Sequence, residues 1–330
     1  MVVLSTVRIR MYTSSIVILS ALVSRALCFN AEVDDKFHKL PRDEFIKYFN
    51  SQNFTWKIQK YNFEGKVLDC AEVSTNHPIP IKPGGYKLHV PKTFDATEKW
   101  PECSIRYENL DQGSCGSCWA IAASSVASAR SCILGPNIKK DEPVSLRKEP
   151  VLSTLDLTCC TDCFNKSFCS GGSPERAALF WVKHGLVTSS CKPYSDTVNG
   201  TCKEECVNET LSYKDNKHFG ENIYIVVADD LEIRAELAYN GPLIATFALY
   251  EDLKDYKSGI YEHTYGKLVG YHSVQVIGYG VESEVPYWLV TNTWGMKWGE
   301  SGVFKVKRFQ KDLAFEDQMI SLFPKRKHCP

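Results

Sequence analysis

The sequence predicts a disulfide-rich α+β protein of two lobes, one helical and one built on strands, with a cleft between them. Helix signals come first along the chain, in an Ala- and Ser-rich run after Cys118 and in a run that Ser173-Pro174 opens. Short apolar runs separated by Gly and Pro follow and read as strands. Elements that segregate in this order favour two packed layers, and the junction between them is a common binding site.

Each helix is predicted from its own signals. Bulky apolar residues within small ones predict a closely packed helix over Cys118–Ala129. Ser173 as N-cap, Pro174 at the first position and Gly185 after a basic last turn predict a second helix. A third is predicted over 230–239. The predicted strands are 243–249, 272–279, 287–291 and 302–308.

Composition and net charge limit the classes of partner that the chain can have. The chain has 330 residues, of which 44% are hydrophobic and 24% are charged. This is an ordinary globular composition, and the length is sufficient for one or two hydrophobic cores. The formal net charge is zero, so no nucleic acid partner and no anionic membrane surface is indicated.

The N-terminus has the pattern of a secretory signal over residues 1–28. Arg8 and Arg10 precede an apolar run, Ser15–Val23, which is too short to span a membrane, and a cut near Cys28 fits. A retained signal anchor is the alternative, and the short run argues against it. The prediction is entry into the secretory pathway, an extracellular or lysosome-like destination and no stable membrane insertion.

Cysteines and glycosylation motifs agree with that route. The chain has fourteen cysteines, which predict disulfides in an oxidising compartment. A zinc site is the alternative for Cys159, Cys160, Cys163 and Cys169, but their spacing lacks two clean Cys-X-X-Cys pairs. No metal and no cofactor is therefore predicted. Asn-X-Ser/Thr motifs stand at Asn53, Asn165, Asn199 and Asn208.

Two further zones follow the signal. Residues 29–89 contain one cysteine, Cys70, and end in a Pro/Gly-rich segment, His77–Gly85, of the kind that proteases cut when it is exposed. From residue 90 to 330 the chain is cysteine-dense and continuous in character, which predicts one domain there.

The octapeptide Gln112–Trp119 carries the chemistry. Cys118 stands where a helix is predicted to begin, and a helix N-terminus or a nearby imidazolium lowers the pKa of a thiol. His272 is the candidate partner and Asn292 the group that orients it, which gives the order of a thiol protease. Gln112 and the Cys118 N–H are the candidate oxyanion donors.

Each of these residues has a plainer interpretation. Cys118 could be disulfide-bonded, as is usual in a cysteine-rich secreted chain, and Asn292 could be a turn residue. His184, His218 and His263 could compete with His272, although Trp294 after Asn292 fits a shield over an Asn–His hydrogen bond.

The zone from residue 90 onward resembles the papain family, and within it the cathepsin B group. The octapeptide contains the Cys-Gly-Ser-Cys-Trp signature of that family. Further matching stretches are Pro91–Pro101, Leu157–Cys160, Cys169–Pro174, Cys191–Ser195, Lys217–Gly220, Asn240–Pro242, Tyr256–Tyr261 and Pro286–Val290. Residues 29–89 match a short propeptide of this group more weakly, with Trp56 and Cys70 in similar places.

The resemblance implies a papain-like fold with a helical left lobe and a β-barrel-like right lobe, and a cysteine endopeptidase made as a zymogen. Its partners would be protein or peptide substrates, its own propeptide as inhibitor and cystatin-type inhibitors. The substrate-binding residues implied are Gly171, Gly172, Pro174, Thr246, Ser273, Trp294 and Gln318.

The resemblance also pairs the cysteines. It implies Cys103–Cys132, Cys115–Cys169, Cys159–Cys202, Cys160–Cys163 and Cys191–Cys206, with Cys118 as the free nucleophile and Cys329 left over.

Three departures from the group bear on specificity. The loop with two adjacent histidines that gives cathepsin B its dipeptidyl carboxypeptidase activity is shortened here to Asp196–Thr201, without His, so an open cleft and endoproteolysis are expected. Gln318 replaces the Glu that accepts Arg, which predicts a neutral pocket. Tyr271 stands before His272 in place of Gly.

Two other functions compete with an active protease. A catalytically weak or inactive binding or regulatory protein on the same fold is the first, and the retention of Gln112, Cys118, His272 and Asn292 argues against it. A structural extracellular domain is the second, and such a domain has no need of a free thiol at Cys118.

Overall fold

The helical lobe is built around one long, almost wholly buried helix, α4. A computed structural model describes residues 31–73, 77–82, 89–103, 105, 111–134, 151–158, 169–196 and 203–325. In this lobe lie α3 (Ala96–Lys99), α4 (Cys118–Leu134), α5 (Thr154–Thr158) and α6 (Pro174–His184). The small Ala and Ser side chains of α4 let its neighbours approach from several sides, and fourteen of its residues are buried.

The ends of α6 lie where the sequence places them. The Ser173 side chain accepts a hydrogen bond from the Arg176 N–H, and Pro174 occupies the first turn. Gly185, with φ of 66°, follows the last residue and lets the chain leave in the left-handed region. The predicted third helix is also confirmed as α7 (Asp230–Asn240), whose N-cap is Asp229.

The second lobe is a mixed sheet. Its strands are β3 (Phe94–Asp95), β4 (Gly220–Val226), β5 (Leu243–Tyr250), β6 (Tyr256–Tyr261), β7 (Leu268–Glu282), β8 (Val285–Thr291), β9 (Val303–Lys307) and β10 (Met319–Pro324). With β1 (Trp56–Ile58) and β2 (Ile81–Lys82) the order is β1-β6-β9-β8-β7-β5-β10-β4-β2, and β3 pairs with β7. Among the described residues the sheet is open, because its first and last strands, β1 and β2, do not pair. It is therefore not the closed barrel that the predicted β-barrel-like lobe suggests.

Strands β1 to β4, β6 and β10 are absent from the sequence prediction. For β10 the apolar pattern explains the omission, because it is buried at five of six positions and does not alternate as a strand with one solvent face does. The strand β7 is also longer than predicted and runs for 15 residues.

Each lobe has its own core. Trp119, Leu157 and Trp181 pack in the helical lobe, and Phe247, Trp288 and Phe304 pack within the sheet. The helix α4 packs against β7 and β10, so the two cores meet along it. No described helix is long and apolar enough to cross a membrane.

The N-terminal segment, residues 31–73, folds onto the sheet lobe through α1 (31–39), α2 (Arg42–Ser51) and β1. Phe45 and Phe49, one turn apart on α2, are buried against Trp56 and Tyr265. In the pairing of β1 with β6, Trp56 lies opposite Gly259. A Cβ on Gly259 would lie 2.3 Å from the Thr55 carbonyl oxygen, so this close approach requires glycine.

Several predictions fall on residues that the structure does not describe. They are the signal at 1–28, the motifs at Asn165 and Asn199, and the cysteines Cys159, Cys160, Cys163, Cys202 and Cys329.

Candidate active site

Cys118 and His272 come from different lobes and meet at the cleft. Cys118 is the first residue of α4, and His272 lies on β7; both are completely buried. The Ser273 N–H donates to Cys118 Sγ at 3.4 Å. One ring nitrogen of His272 lies within 4.8 Å of Cys118 Sγ, and that group of atoms includes Cys70 Sγ.

Asn292 orients the imidazole. Its Oδ1 lies 2.8 Å from His272 Nε2, so Nε2 carries the proton and donates, while Nδ1 is left facing the sulfur atoms. The Thr293 N–H donates to the same Oδ1 at 2.8 Å and fixes the amide. Trp294 lies over the imidazole, with ring centroids 5.0 Å apart, and covers this hydrogen bond.

Burial decides the protonation of His272 in this structure. It lowers the pKa of the imidazole to about 4, and the hydrogen bond to Asn292 offsets only part of that effect. At pH 5 to 7 the ring is therefore neutral while the cleft is filled.

Cys118 is bonded to Cys70 in the structure, whereas the resemblance implied a free thiol. The N-terminal segment brings Cys70 against the start of α4, with 5.8 Å between the two Cα atoms. That separation is ordinary for a disulfide. The two sulfurs and His272 would suit a metal by spacing alone, but sulfurs bonded to each other are not thiolate ligands.

Gln112 is the candidate oxyanion donor, and its amide is already occupied. Its Nε2 donates to the Val67 carbonyl at 2.7 Å and to the Cys115 carbonyl at 3.3 Å. Thr293 donates from Oγ1 to Gln112 Oε1, which fixes the orientation of the amide.

Residues 66–72 form a stretch that lies in the cleft; we call it the cleft stretch. At its start Lys66 pairs with Asp111, with Nζ 2.6 Å from the carboxylate. In its centre the N–H groups of Cys70 and Ala71 both donate to the Tyr271 carbonyl at 3.1 Å. At its end the Glu72 N–H donates to the Gly172 carbonyl at 2.9 Å.

The glycines predicted to bind substrate contact this stretch directly. Ala71 forms a parallel bridge with Gly172. Gly171 has φ of 103°, and a Cβ there would lie 3.4 Å from the Cys70 backbone. Pro174 is the first residue of α6, directly after this loop.

Two other predicted pocket residues lie on neighbouring strands, and a third directly precedes a strand. Thr246 on β5 is opposite Ser273 on β7, and their hydroxyls are 2.9 Å apart. Gln318 is buried and directly precedes Met319, whose partner on β5 is Ala245. Tyr271, the departure beside His272, is exposed over 37% of its surface.

Three of the disulfides that the resemblance implied occur in the structure. They are Cys103–Cys132, Cys115–Cys169 and Cys191–Cys206. Cys169 therefore belongs to a disulfide rather than to the zinc set considered as the alternative.

The competing histidines have other neighbours. His263 Nδ1 lies 3.1 Å from Asp252, His184 packs on Phe180, and His218 pairs through its backbone with Leu186. His272 is the histidine that the fold places beside Cys118.

Two supporting residues escape sequence reasoning. Tyr194 donates from its hydroxyl to the Gln112 carbonyl at 3.1 Å and lies 2.6 Å from the Ser117 hydroxyl. Burial raises the pKa of Tyr194 to about 12, so it stays a neutral donor. Asp196 accepts from the Ser114 N–H at 3.2 Å. None of these three contacts has a local signal, because each joins residues 77 or more positions apart.

The fold and this arrangement of Cys, His and Asn define a thiol protease architecture, and comparison with known proteins agrees. The family model "Papain family cysteine protease" matches residues 90–322. The chain is 38% identical over 330 residues to the "Gut-specific cysteine proteinase" of Caenorhabditis elegans, covering 92% of this chain and 97% of that one. It is 35% identical to the "Cathepsin B-like cysteine proteinase 5" of the same organism, covering 84% and 89%.

A solved structure, "proCathepsin B S9 from Trypanosoma congolense", superimposes with a TM-score of 0.76 at 29% identity, covering 87% of this chain and 98% of that one. The chain belongs to the papain family of cysteine proteases, and its relatives include cathepsin B-like enzymes and a proform.

Proposed function

We propose that this chain is the zymogen of a cathepsin B-like cysteine endopeptidase of the secretory pathway. Residues 1–28 are the signal, residues 29–89 the propeptide and residues 90–330 the mature enzyme. The cleft stretch carries the proposal, because it touches Gln112, Cys118 and Gly172 at once and so occupies the place of a substrate.

In the mature enzyme Cys118 is the nucleophile. Removal of the propeptide opens the cleft, and the Cys118 thiolate at the N-terminus of α4 is stabilised there by the helix dipole and by the His272 imidazolium. The thiolate attacks the substrate carbonyl, and the oxyanion takes the hydrogen bond that Gln112 Nε2 now gives to Val67.

His272 then carries the protons. It protonates the leaving amine, and after the acyl-enzyme has formed it activates the hydrolytic water. Asn292 needs no charge for its part, because it only holds Nε2–H while the imidazolium is balanced by the thiolate.

Endoproteolysis is proposed because the sequence between Asp196 and Cys202 is short and contains no histidine. Asp196 itself lies beside the octapeptide, where it accepts from the Ser114 N–H. A carboxypeptidase needs a cation that binds the terminal carboxylate of its substrate.

The secretory route is supported by two glycosylation motifs. Asn53 and Asn208 are both exposed, so both sites are accessible to glycosylation. An extracellular or lysosome-like compartment follows from this route, and protein substrates and cystatin-type inhibitors are the partners proposed.

Kinetics on the reduced, processed enzyme test this function. Cys118→Ala is expected to abolish hydrolysis of an internally quenched peptide, and Gln112→Ala to lower turnover about 100- to 1000-fold. Internal cleavage is expected to exceed release of C-terminal dipeptides. Dipeptide release as fast as internal cleavage would contradict the endopeptidase assignment, and full activity of the Cys118→Ala variant would contradict the mechanism.

A further inference from the structure

Among the disulfides that the structure describes, only Cys70–Cys118 joins the N-terminal segment to the rest of the chain, in addition to the continuous backbone. Cys70 is 1% exposed and Cys118 is fully buried. The bond closes a loop of 48 residues that contains the His77–Gly85 linker. Cutting the linker would therefore leave the propeptide attached to the nucleophile.

The backbone on both sides of Cys70 holds it in place for this bond. Asp69 Oδ1 accepts from the Tyr271 N–H at 2.9 Å, and the Tyr271 carbonyl accepts from Cys70 and Ala71. The Gly172 N–H donates to the Cys70 carbonyl at 3.3 Å. The strand β7 and the loop that precedes α6 thus fix the residue that carries the sulfur, so the pairing follows from the way the segment lies in the cleft.

We propose that the zymogen is latched by the Cys70–Cys118 disulfide, and that thiol–disulfide exchange must act before the enzyme can work. This inference rests on the proposed function of Cys118 as nucleophile. While the bond is intact, Cys118 has no thiolate, and neither propeptide cleavage nor acidification supplies one. The required co-reactant is a thiol, either a small one or the dithiol of an oxidoreductase.

The exchange is balanced as follows. A thiolate RS⁻ attacks Cys70 Sγ, the Cys70–Cys118 bond breaks, and Cys118 leaves as a thiolate. A second RSH then attacks the mixed disulfide on Cys70, which releases RSSR and leaves Cys70 as a thiol. In sum, two RSH are oxidised to RSSR, and the protein disulfide is reduced to the Cys70 thiol and the Cys118 thiolate, with the remaining proton taken up by His272.

The structure selects Cys70 as the sulfur that is attacked. The leaving sulfur should be the better-stabilised thiolate, and Cys118 stands at the N-terminus of the 17-residue helix α4. His272 Nδ1 lies 3.4 Å from Cys70 Sγ and can take up the proton that makes the imidazolium partner of the new thiolate. The product of the exchange is therefore the ion pair that the mechanism requires.

Burial of both sulfurs sets the order of events. A reductant reaches the bond only when the cleft stretch moves, and that stretch is held by the backbone hydrogen bonds to Tyr271 and Gly172 and by the Lys66–Asp111 pair. We expect exchange on the intact zymogen to be slow and to speed up once the linker has been cut.

A non-reducing gel tests the latch without any need for activity. The full-length zymogen is secreted in an oxidising host with a site-specific protease sequence inserted at residues 83–88. Free thiols are blocked with N-ethylmaleimide, the site is cut, and the chain is denatured without reductant. We expect one band for the wild type, which separates into propeptide and mature chain on adding dithiothreitol. The Cys70→Ser variant should separate without it.

Ala71→Ser is the matched control, since it adds a hydroxyl beside Cys70 and leaves the sulfur; it should stay as one band. Separation of the wild type without reductant, or N-ethylmaleimide on both Cys70 and Cys118, would overturn the latch. Peptide hydrolysis is then measured after reduction. A linked zymogen that is inert after reduction contradicts the proposed function alone, whereas an unlinked zymogen that becomes active contradicts the latch alone.

Discussion

Gln112 is held by hydrogen bonds at both the oxygen and the nitrogen of its amide, which supports its proposed role as an oxyanion donor. Thr293 donates to Oε1, so the amide nitrogen points toward the cleft, where Val67 now accepts from it. Preorganised donors of this kind act because they need no rearrangement as charge develops. The hydroxyl of Thr293 therefore acts through Gln112 as a positioning group.

Thr293→Val removes that hydroxyl and keeps the shape of the side chain. We predict a fall in kcat of about 10-fold, since one buried hydrogen bond contributes about 1 to 1.5 kcal/mol. KM should change little, because the loss falls on the transition state. Thr293→Ser keeps the hydroxyl and should retain kcat. An unchanged kcat in Thr293→Val would show that Gln112 needs no such support.

Gln318 is proposed to line the pocket for the substrate residue before the scissile one and so to set which side chain that pocket accepts. With Thr246 and Ser273 it makes that region polar but uncharged. We predict that Gln318→Glu raises kcat/KM for a substrate with Arg at this subsite, relative to its Val counterpart, by about 10-fold or more. Gln318→Leu is the uncharged control and should not favour Arg. An Arg preference already present in the wild type would refute the neutral pocket.

At the scale of elements, α4 and β7 bring the nucleophile and the base together. The packing of α4 on β7 places the first residue of the helix beside the fifth of the strand. Within the N-terminal segment, α2 and β1 pack on the sheet lobe through an aromatic cluster around Trp56 and Tyr265. The segment thus has an anchor in addition to the cleft stretch.

Trp56 is the centre of that anchor. It is 1% exposed, and its Nε1 donates to Thr264 Oγ1 at 3.3 Å. Trp56→Ala should weaken docking by about 3 to 5 kcal/mol, as for other buried aromatic side chains. In a Cys70→Ser, Cys118→Ala background, where neither the latch nor self-cleavage interferes, added protease should cut within residues 31–73 much faster. Lys60→Ala, at an exposed position, should leave the cleavage rate unchanged.

At the scale of the whole molecule, filling the cleft makes the zymogen sensitive to pH. Burial holds the pKa of His272 at about 4, below its ordinary 6.5, while the cleft is closed. Opening exposes the ring, so the open form binds more protons between pH 6.5 and about 4. The closed form therefore loses stability as the pH falls through this window.

His263 has the opposite effect on the pH dependence of stability, but its effect falls above pH 6.5. Burial lowers the pKa of His263, but the hydrogen bond and charge of Asp252 outweigh burial and raise it overall. Its stabilising effect is complete below pH 6.5 and is lost as the pH rises above that value. Below pH 6.5, His263 therefore does not offset the loss of stability that protonation of His272 causes.

We predict that the melting temperature of the Cys70→Ser, Cys118→Ala zymogen falls between pH 6.5 and 4. His272→Gln, which cannot gain a proton, should flatten this dependence. Differential scanning calorimetry at several pH values measures both. A profile that is the same with and without His272 would rule it out as a source of the acid sensitivity.

Local signals explain what could be read without the structure. Ser173, Pro174 and Gly185 fix the ends of α6, because capping depends on residues within a turn of the terminus. The octapeptide and the order of Cys118, His272 and Asn292 point to the site because this chemistry admits few residue types. Family, fold class and the core of the site were therefore determined by the sequence itself.

Only the tertiary structure decided which distant groups meet. Strands β4 and β10 take their form from pairing with each other and not from an alternating pattern. The bond between Cys70 and Cys118 depends on how the N-terminal segment lies in the cleft, and any cysteine spacing of similar length would read the same in the sequence. Contacts across such separations are selected by packing of the whole chain, which no local pattern encodes.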